Sequence, residues 1–296
     1  MRWVPHAAWA PRLAAAGLTL LVAVLVITGI GCLSVTRTQC SVASLLHGRR
    51  DLDVPYAGTR PAVVDRMLEA ARVGASDHVI DLGTGDGRIL IAAARDRGAR
   101  GLGVDIDPAL IDEARRNARR TGVEDRVRFR VENLFETPLS DATVVTLYLL
   151  PEVNLRLRPR LLAQLRPGAR IVSHSFDMGD WRPDESHRIG GAWIHMWTVP
   201  ARVEGAWRFT DEAGRSGELR IAQHFQTFTG ALRLGGRDLP IVRSRMAGDR
   251  IDFEVATPVA ARSYVGRVRG DRITPLDPAH GWHAERLEEE VPRQLR

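Results

Sequence analysis

The chain has 296 residues, with 42 basic against 36 acidic side chains and a net charge of +6. Hydrophobic residues make up 44% and charged residues 26% of it, which excludes a wholly disordered, collagen-like or coiled-coil protein. Every basic residue is arginine, and the arginines are interleaved with acidic residues instead of forming a dense block, so no nucleic-acid partner is predicted. The two cysteines exclude a disulfide scaffold and have no partners at metal-ligand spacing, so no metal site is predicted.

The first 54 residues have the pattern of a membrane segment. After an N-terminal flank (1–12), residues 13–36 contain no charged side chain, and a polar, arginine-rich linker follows (37–54). About 20 apolar residues suffice to cross a bilayer, so the sequence predicts one uncleaved transmembrane anchor. A cleaved signal peptide and a lipoprotein anchor at Cys32 are the alternatives, and arginines on both sides leave the orientation open.

Strand and helix patterns alternate between residues 55 and 200. A helix is predicted within 60–74, and HVIDLGTGDGRILIAAARDRG has the pattern of a strand, a glycine-rich turn and a helix. A second strand ends at Asp105, a third lies in VRFRVEN, and a fourth lies within 142–150. This alternation predicts a parallel α/β sheet, which 188–199 extends with antiparallel strands.

The glycine-rich turn carries the chemistry. Asp81 is followed by glycines at 83, 85 and 87, which let the backbone turn tightly and approach a ligand. Asp105 ends the next strand, where a carboxylate can accept hydrogen bonds from two ribose hydroxyls. A leading carboxylate repels a pyrophosphate and suits a cationic ligand, so the pattern disfavours NAD. The alternative is that the glycines serve only a structural turn.

The order of motifs resembles that of class I S-adenosylmethionine-dependent methyltransferases. DLGTGDG, GVDIDP, VRFRVEN and LRPGARIVSHSF match successive motifs over residues 55–181. The resemblance implies a Rossmann-like sheet and S-adenosyl-L-methionine as cofactor, with Asp81 and the three glycines around the methionine part and Asp105 on the ribose. It places Asn133 where the family often has an aspartate near the adenine amino group. The predicted cofactor-binding residues are Tyr56, Asp81, Gly83, Thr84, Gly85, Gly87, Asp105, Ile106, Asn133 and Leu134.

A narrower resemblance concerns the methyl acceptor. VPYAGTRPAVVDRML and LSDATVVTLYLLPEVNLRLRPRLL are similar to segments of the membrane-anchored mitochondrial lysine methyltransferases and their bacterial relatives. Animal members methylate the ATP synthase c subunit and the adenine nucleotide translocase, so the resemblance implies a protein lysine as acceptor. The sequence lacks the (Asn/Asp)-Pro-Pro-(Tyr/Phe) motif typical of enzymes acting on bases or glutamine amides. A small lipophilic acceptor and a non-catalytic module that binds the cofactor remain as alternatives.

Candidate acceptor-side residues follow the fourth strand. The predicted catalytic residues are Tyr148, Pro151, Glu152 and Asn154. A neutral amine needs alignment and shielding from water more than acid–base help, so Tyr148 and Pro151 are expected to form a channel with Tyr56. Glu152 and Asn154 are expected to position the amine, with packing or helix capping as their alternative roles. His174, in IVSHSF, is either a base or a hydrogen-bonded strand histidine.

The C-terminal third has a different pattern. Short strands separated by Gly, Asp and Pro turns predict a β domain at 201–276, with six or seven strands in a small barrel or a folded-over sheet. Substrate gating, partner docking and simple stabilisation are its possible roles. Residues 277–296 have the pattern of a loose, charged tail. Because S-adenosylmethionine is cytosolic, the predicted localisation is a bacterial inner membrane with the catalytic domain in the cytoplasm.

Overall fold

The computed structural model describes residues 58–287. Tyr56 and the predicted flank, anchor and linker (1–12, 13–36 and 37–54) lie outside the described residues. Within 58–287 no helix is long and apolar enough to span a membrane, and the longest has 14 residues where about 20 are needed. On this finding the predicted single-pass membrane localisation is corrected.

The described residues contain four α-helices and fifteen strands. The helices are α1 (Pro61–Ala70), α2 (Arg88–Arg97), α3 (Pro108–Thr121) and α4 (Pro151–Gln164). The first seven strands are β1 (His78–Leu82), β2 (Arg100–Asp105), β3 (Val127–Val131), β4 (Val144–Leu147), β5 (Arg170–His174), β6 (Glu185–Ile189) and β7 (Ala192–Thr198). The other eight are β8 (Gly205–Thr210), β9 (Ser216–His224), β10 (Thr227–Leu234), β11 (Arg237–Ala247), β12 (Arg250–Ala256), β13 (Ala261–Arg269), β14 (Arg272–Pro275) and β15 (His283–Arg286).

The first seven strands form one mixed sheet in the order β3-β2-β1-β4-β5-β7-β6. Strands β1 to β5 are parallel, whereas β7 runs antiparallel to both β5 and β6. One core cluster joins one face of the sheet to α1, α2 and α3, and a second joins the other face to α4. The strand order reverses between β1 and β4, and ligands of open α/β sheets bind at the carboxyl ends of the strands at such a point.

Local sequence explains where the helices begin and end. The Asp107 side chain accepts a hydrogen bond from the Ala109 N–H at 2.8 Å and so caps the N-terminus of α3. Helices α1, α3 and α4 carry proline in their first turn, where the missing N–H costs no hydrogen bond. Gly98 and Gly122 end α2 and α3 in the left-handed conformation.

The remaining eight strands close into an antiparallel barrel, β10-β11-β12-β13-β14-β15-β8-β9. The prediction of six or seven strands is therefore corrected to eight. The eighth, β15, lies within the segment predicted as a loose tail, and it closes the barrel by pairing with both β14 and β8. Alternating inward residues fill the barrel, and its buried aromatic rings, each at most 3% exposed, are Trp207, Phe209, Phe228, Phe253, Tyr264 and Trp282.

The barrel meets the sheet at the edge opposite the carboxyl ends of the parallel strands. Ala201, just after β7, donates its N–H to the carbonyl of Gly248 at 2.8 Å. A Cβ on Gly248 would come within 2.9 Å of Gly168, in the turn that precedes β5. Trp181 Nε1 donates to Gln226 Oε1 at 2.9 Å and adds a side-chain link. Backbone and side-chain hydrogen bonds thus join the barrel to the sheet, and the role of the barrel stays a prediction.

Removal of a ring that plugs the barrel tests the closed structure. Trp282 is 3% exposed, so Trp282→Ala is expected to lower the free energy of unfolding by about 3–5 kcal/mol through lost burial and a cavity. The control is Val259→Ala at a side chain 96% exposed, where a change within about 0.5 kcal/mol is expected. Urea denaturation followed by circular dichroism measures both, and equal midpoints for the two variants would contradict a packed barrel.

Candidate active site

The glycine-rich turn between β1 and α2 needs its three glycines for conformation and for space. Gly83, Gly85 and Gly87 have φ angles of 76°, 53° and 80°, a region that side chains with a Cβ rarely occupy. A Cβ on Gly83 would lie 2.7 Å from Leu149 Cδ2, and one on Gly87 would lie 2.8 Å from the Phe129 ring. The turn is thus shaped by its neighbours as well as by its own backbone.

The buried side chain of Asp81 is hydrogen-bonded to this turn. Its side chain is 1% exposed and accepts hydrogen bonds from Thr84 Oγ1 at 2.7 Å and from Thr146 Oγ1 at 2.6 Å. Thr84 belongs to the turn and Thr146 to β4, so the carboxylate joins the turn to the neighbouring strand across the point where the strand order reverses. The structure therefore gives Asp81 a positioning contact.

Burial raises the pKa of Asp81 from 3.8 to about 6, and the nearby carboxylates of Asp105 and Asp86 add to the rise. The two threonine hydroxyls oppose this effect because they donate to the charged form. At neutral pH the site therefore holds a buried negative charge that has no cationic partner among the described side chains in hydrogen-bond contact with it. A cationic ligand would supply one.

Asp105 ends β2 as the sequence predicts, beside the turn. Its Oδ2 accepts from the Gly85 N–H at 2.9 Å, and its Oδ1 accepts from the Asp107 N–H at 3.0 Å. Each carboxylate oxygen has two lone pairs, so both can accept a further hydrogen bond from a ligand hydroxyl. The next residue, Ile106, is 50% exposed, which is unusual for so large an apolar side chain and suits a platform for a flat ring.

Asn133 and Leu134 follow β3 on the same side. Asn133 Oδ1 accepts from the Phe135 N–H at 3.0 Å, while its Nδ2 donates to Glu136 Oε1 at 3.2 Å. Leu134 is half-buried against the core cluster that includes α4. The oxygen and the nitrogen of the Asn133 side-chain amide thus both make hydrogen bonds within the loop. A contact with the adenine amino group stays a prediction.

Tyr148, immediately after β4, contacts the residue that ends β5. Its ring centroid lies 3.8 Å from that of His174, and His174 Nδ1 shares a hydrogen bond of 3.1 Å with Thr59 Oγ1. Burial lowers the pKa of His174 to about 4, assisted by the positive charge of Arg60, so the imidazole is neutral at pH 7. The hydrogen bond to Thr59 is the contact expected of a strand histidine, and the low pKa makes the imidazole a weak base.

The other predicted catalytic residues separate in the structure. Pro151 and Glu152 form the first turn of α4, with Pro151 half-buried and Glu152 exposed. Asn154 is fully buried, and Leu150, not Asn154, occupies the N-cap. The capping role of Asn154 is therefore excluded, and its predicted role in positioning the amine stays a prediction.

Sequence reasoning did not select Thr59 or Thr146, although both hydroxyls contact candidate site residues. Thr59 is 2% exposed and Thr146 is fully buried. A polar residue within the apolar run VVTLYLL indicates a buried hydroxyl, so Thr146 had a visible signal. Thr59 is the threonine of a Pro-Tyr-x-x-(Thr/Ser) pattern in VPYAGTRPAVVDRML, but its contact had no signal because its partner His174 lies far away in the sequence.

Comparison with known proteins identifies the family. A model described as the ANTKMT methyltransferase domain matches residues 81–185. A protein-lysine N-methyltransferase of Saccharolobus islandicus is 47% identical over 137 residues, which are 46% of this chain and 85% of that protein. The chain belongs to the ANTKMT methyltransferase family. It is an S-adenosylmethionine-dependent methyltransferase, and the predicted Rossmann-like sheet followed by a β domain is confirmed.

Similarity to animal members of the family is lower. The adenine nucleotide translocase lysine N-methyltransferase of Mus musculus is 36% identical over 45% of this chain and 57% of its own length. The lysine N-methyltransferase of Xenopus laevis that is named for the ATP synthase c subunit is 32% identical over 50% of this chain and 64% of its own length. The chain therefore spans about three fifths of these two relatives.

The chain also resembles a solved structure with bound S-adenosyl-L-homocysteine. That structure, of an RNA methyltransferase from Salinibacter ruber, is 54% identical and covers 50% of this chain and 96% of its own, with a TM-score of 0.49. The family model ends at residue 185, so its match does not extend to the barrel strands.

Gly83→Ala tests the turn. The added Cβ would strain a left-handed backbone and meet Leu149 at 2.7 Å, so we expect affinity for S-adenosyl-L-methionine to fall at least about tenfold. The matched control is Gly122→Ala, because Gly122 has a similar φ of 67° but open space around its Cβ position and lies at the end of α3. Calorimetry on the full chain measures both affinities, and equal losses would mean that strain alone is responsible.

Asp81→Asn tests the buried carboxyl group through its pH dependence. The folded-state pKa of about 6 exceeds the unfolded value of 3.8, so the carboxyl group favours folding at low pH and this contribution is lost as the pH rises through about 6. The asparagine variant has no such loss. The difference in free energy of unfolding, variant minus wild type, is therefore expected to increase by up to about 3 kcal/mol between about pH 4 and pH 7.

Urea unfolding at several pH values measures this difference, with Asp112→Asn at an exposed position of α3 as the control. Asp112→Asn is expected to follow the wild type. A difference between wild type and Asp81→Asn that does not change with pH would show that Asp81 has an ordinary pKa.

Proposed function

We propose that this protein transfers a methyl group from S-adenosyl-L-methionine to the side-chain amine of a lysine in another protein. The observation that carries the proposal is the 47% identity to a protein-lysine N-methyltransferase of which the chain covers 85%. The animal relatives, although covered less fully, are also named as lysine methyltransferases. The chain has no lysine of its own, so the acceptor is another molecule.

The residues of the cofactor side fit this ligand. When bound, S-adenosyl-L-methionine supplies a methyl group on a positively charged sulfur, which becomes a neutral thioether when the methyl leaves. The buried charge of Asp81 lies under the turn and favours a cation there. Asp105 has lone pairs for ribose hydroxyls, and the exposed face of Ile106 suits the adenine ring.

The acceptor side suits a neutral amine. A free lysine has a pKa of about 10.4 and must lose a proton before its nitrogen can attack. The described groups around Tyr148 favour loss of this proton, because the neutral His174 gives an ammonium ion no negative partner and the partly buried surroundings of its ring disfavour a charge. Arg60 adds a positive charge that lowers the pKa of His174 and would lower that of an incoming lysine in the same way. Tyr148 supplies an apolar wall that helps to exclude water.

A methyl-transfer assay tests the proposal. The full chain is incubated with methyl-labelled S-adenosyl-L-methionine and a protein extract of the source cells, and hydrolysed protein is analysed for methylated lysine. Because the enzyme contains no lysine, every labelled lysine comes from an acceptor protein. Label in lipid or small molecules would support the lipophilic acceptor instead, and binding without transfer would support the non-catalytic module.

Asp105→Ala provides the control for the assay. Loss of the carboxylate removes the predicted ribose contact and the hydrogen bond from Gly85, so S-adenosyl-L-methionine binding is expected to weaken by about 1.5–3 kcal/mol. Labelling of lysine should fall with it. Calorimetry measures the binding, and transfer that persists in a variant unable to bind the cofactor would point to a contaminating enzyme.

A further inference from the structure

Ser175, the residue after β5, has a backbone conformation that serine rarely adopts. Its φ is +68°, and the Phe176 N–H donates to the His174 carbonyl at 2.9 Å, two residues back. Together these define a γ-turn of the strained, positive-φ type. Glycine would adopt this φ without a steric penalty, so a serine here costs free energy that a glycine would not.

Neighbouring groups hold the turn in place from three sides. The Ser175 N–H donates to the Trp193 carbonyl at 2.7 Å, which joins the turn to β7. Ser173 Oγ donates to the Phe176 carbonyl at 2.6 Å. Asn154 Nδ2, from the first part of α4, donates to Ser173 Oγ and to the same Phe176 carbonyl, each at 3.3 Å. A strained conformation persists only where its surroundings impose it in this way.

The location of the turn connects it to the acceptor side. Ser175 follows His174, whose ring contacts that of Tyr148 at 3.8 Å, at the carboxyl ends of β4 and β5. Ser175 is half-buried, and its hydroxyl makes no hydrogen bond to any of residues 58–287. By contrast, the hydroxyl of Ser173 is engaged in holding the turn. The strained residue is therefore also the one whose polar group is available to a ligand.

We propose that the Ser175 hydroxyl binds the incoming acceptor nucleophile, which under the proposed function, on which this inference rests, is a lysine amine. The hydroxyl oxygen accepts a hydrogen bond from an N–H of the amine, which orients the nitrogen lone pair toward the methyl group. Asn154 serves as a positioning residue, because it ties the turn to the helix that begins beside Tyr148.

Two substitutions separate the hydroxyl from the strain. Ser175→Gly removes both, whereas Ser175→Ala removes the hydroxyl and keeps the strained backbone. The initial rate of total methyl transfer is measured against extract concentration at saturating cofactor, together with the melting temperature and the dissociation constant of S-adenosyl-L-methionine by calorimetry. Arg72→Gly is the control, because Arg72 also has a positive φ, of 50°, but lies just after α1.

Both Ser175 variants are expected to lose at least tenfold in the slope of rate against extract concentration, with cofactor affinity within twofold of the wild type. Ser175→Gly is expected to melt at a higher temperature than the wild type, and Ser175→Ala is not. Arg72→Gly should keep the wild-type rate. A Ser175→Gly protein that transfers methyl groups at the wild-type rate would overturn the inference, as would a parallel loss of cofactor affinity.

The same experiment separates this inference from the proposed function. Total transfer is counted before the acceptor is identified, so label found only in molecules other than protein lysine overturns the proposed function while a tenfold loss in both variants still supports the role of Ser175. Cofactor binding without any transfer by the wild type overturns both.

Discussion

The buried carboxylate of Asp81 joins the two halves of the catalytic sheet. It accepts one hydrogen bond from a hydroxyl of the glycine turn and one from a hydroxyl of β4. These two elements flank the point where the strand order reverses. The crevice opens at that point, so the shape of the cofactor side depends on a charge that the fold buries at a cost. The cost is typical of a binding site, where stability is given up to keep a charge ready for a ligand of opposite sign.

The candidate acceptor side, around Tyr148 and His174, is held together by different interactions. The rings of Tyr148 and of the neutral His174 contact each other there, and the positive charge of Arg60 lies near them. Its geometry comes from hydrogen bonds between segments remote in the sequence, such as the one between Thr59 and His174. The Ser175 turn is fixed by β7 and α4 together. Strand β7 therefore contributes to the candidate acceptor side as well as to the core.

The sequence predicts the glycine turn and the strand ends beside it well because their signals are local. A strand, three alternating glycines and an acidic residue at the next strand end all lie within one strand–helix–strand unit, and the glycines are required by their own backbone geometry. The acceptor side is harder to predict, since the roles of Thr59 and Asn154 depend on partners brought close only by the fold. The barrel shows the same limit. Strand β15 is only four residues long, and it becomes a strand because β14 and β8 leave a gap that it fills.

The way the barrel closes has a mechanical consequence. Its first strand, β8, pairs with its last, β15, in antiparallel register, with Trp207 opposite Arg286 and Thr210 opposite His283. The chain therefore enters and leaves the barrel at the same end of one strand pair. A pulling force applied between those two points would load the backbone hydrogen bonds one at a time, as in opening a zipper, and not all together as in shear. The packed aromatic interior stabilises the barrel against global unfolding, whereas along this axis we expect the closing strand pair to separate at a lower force than strands loaded in shear.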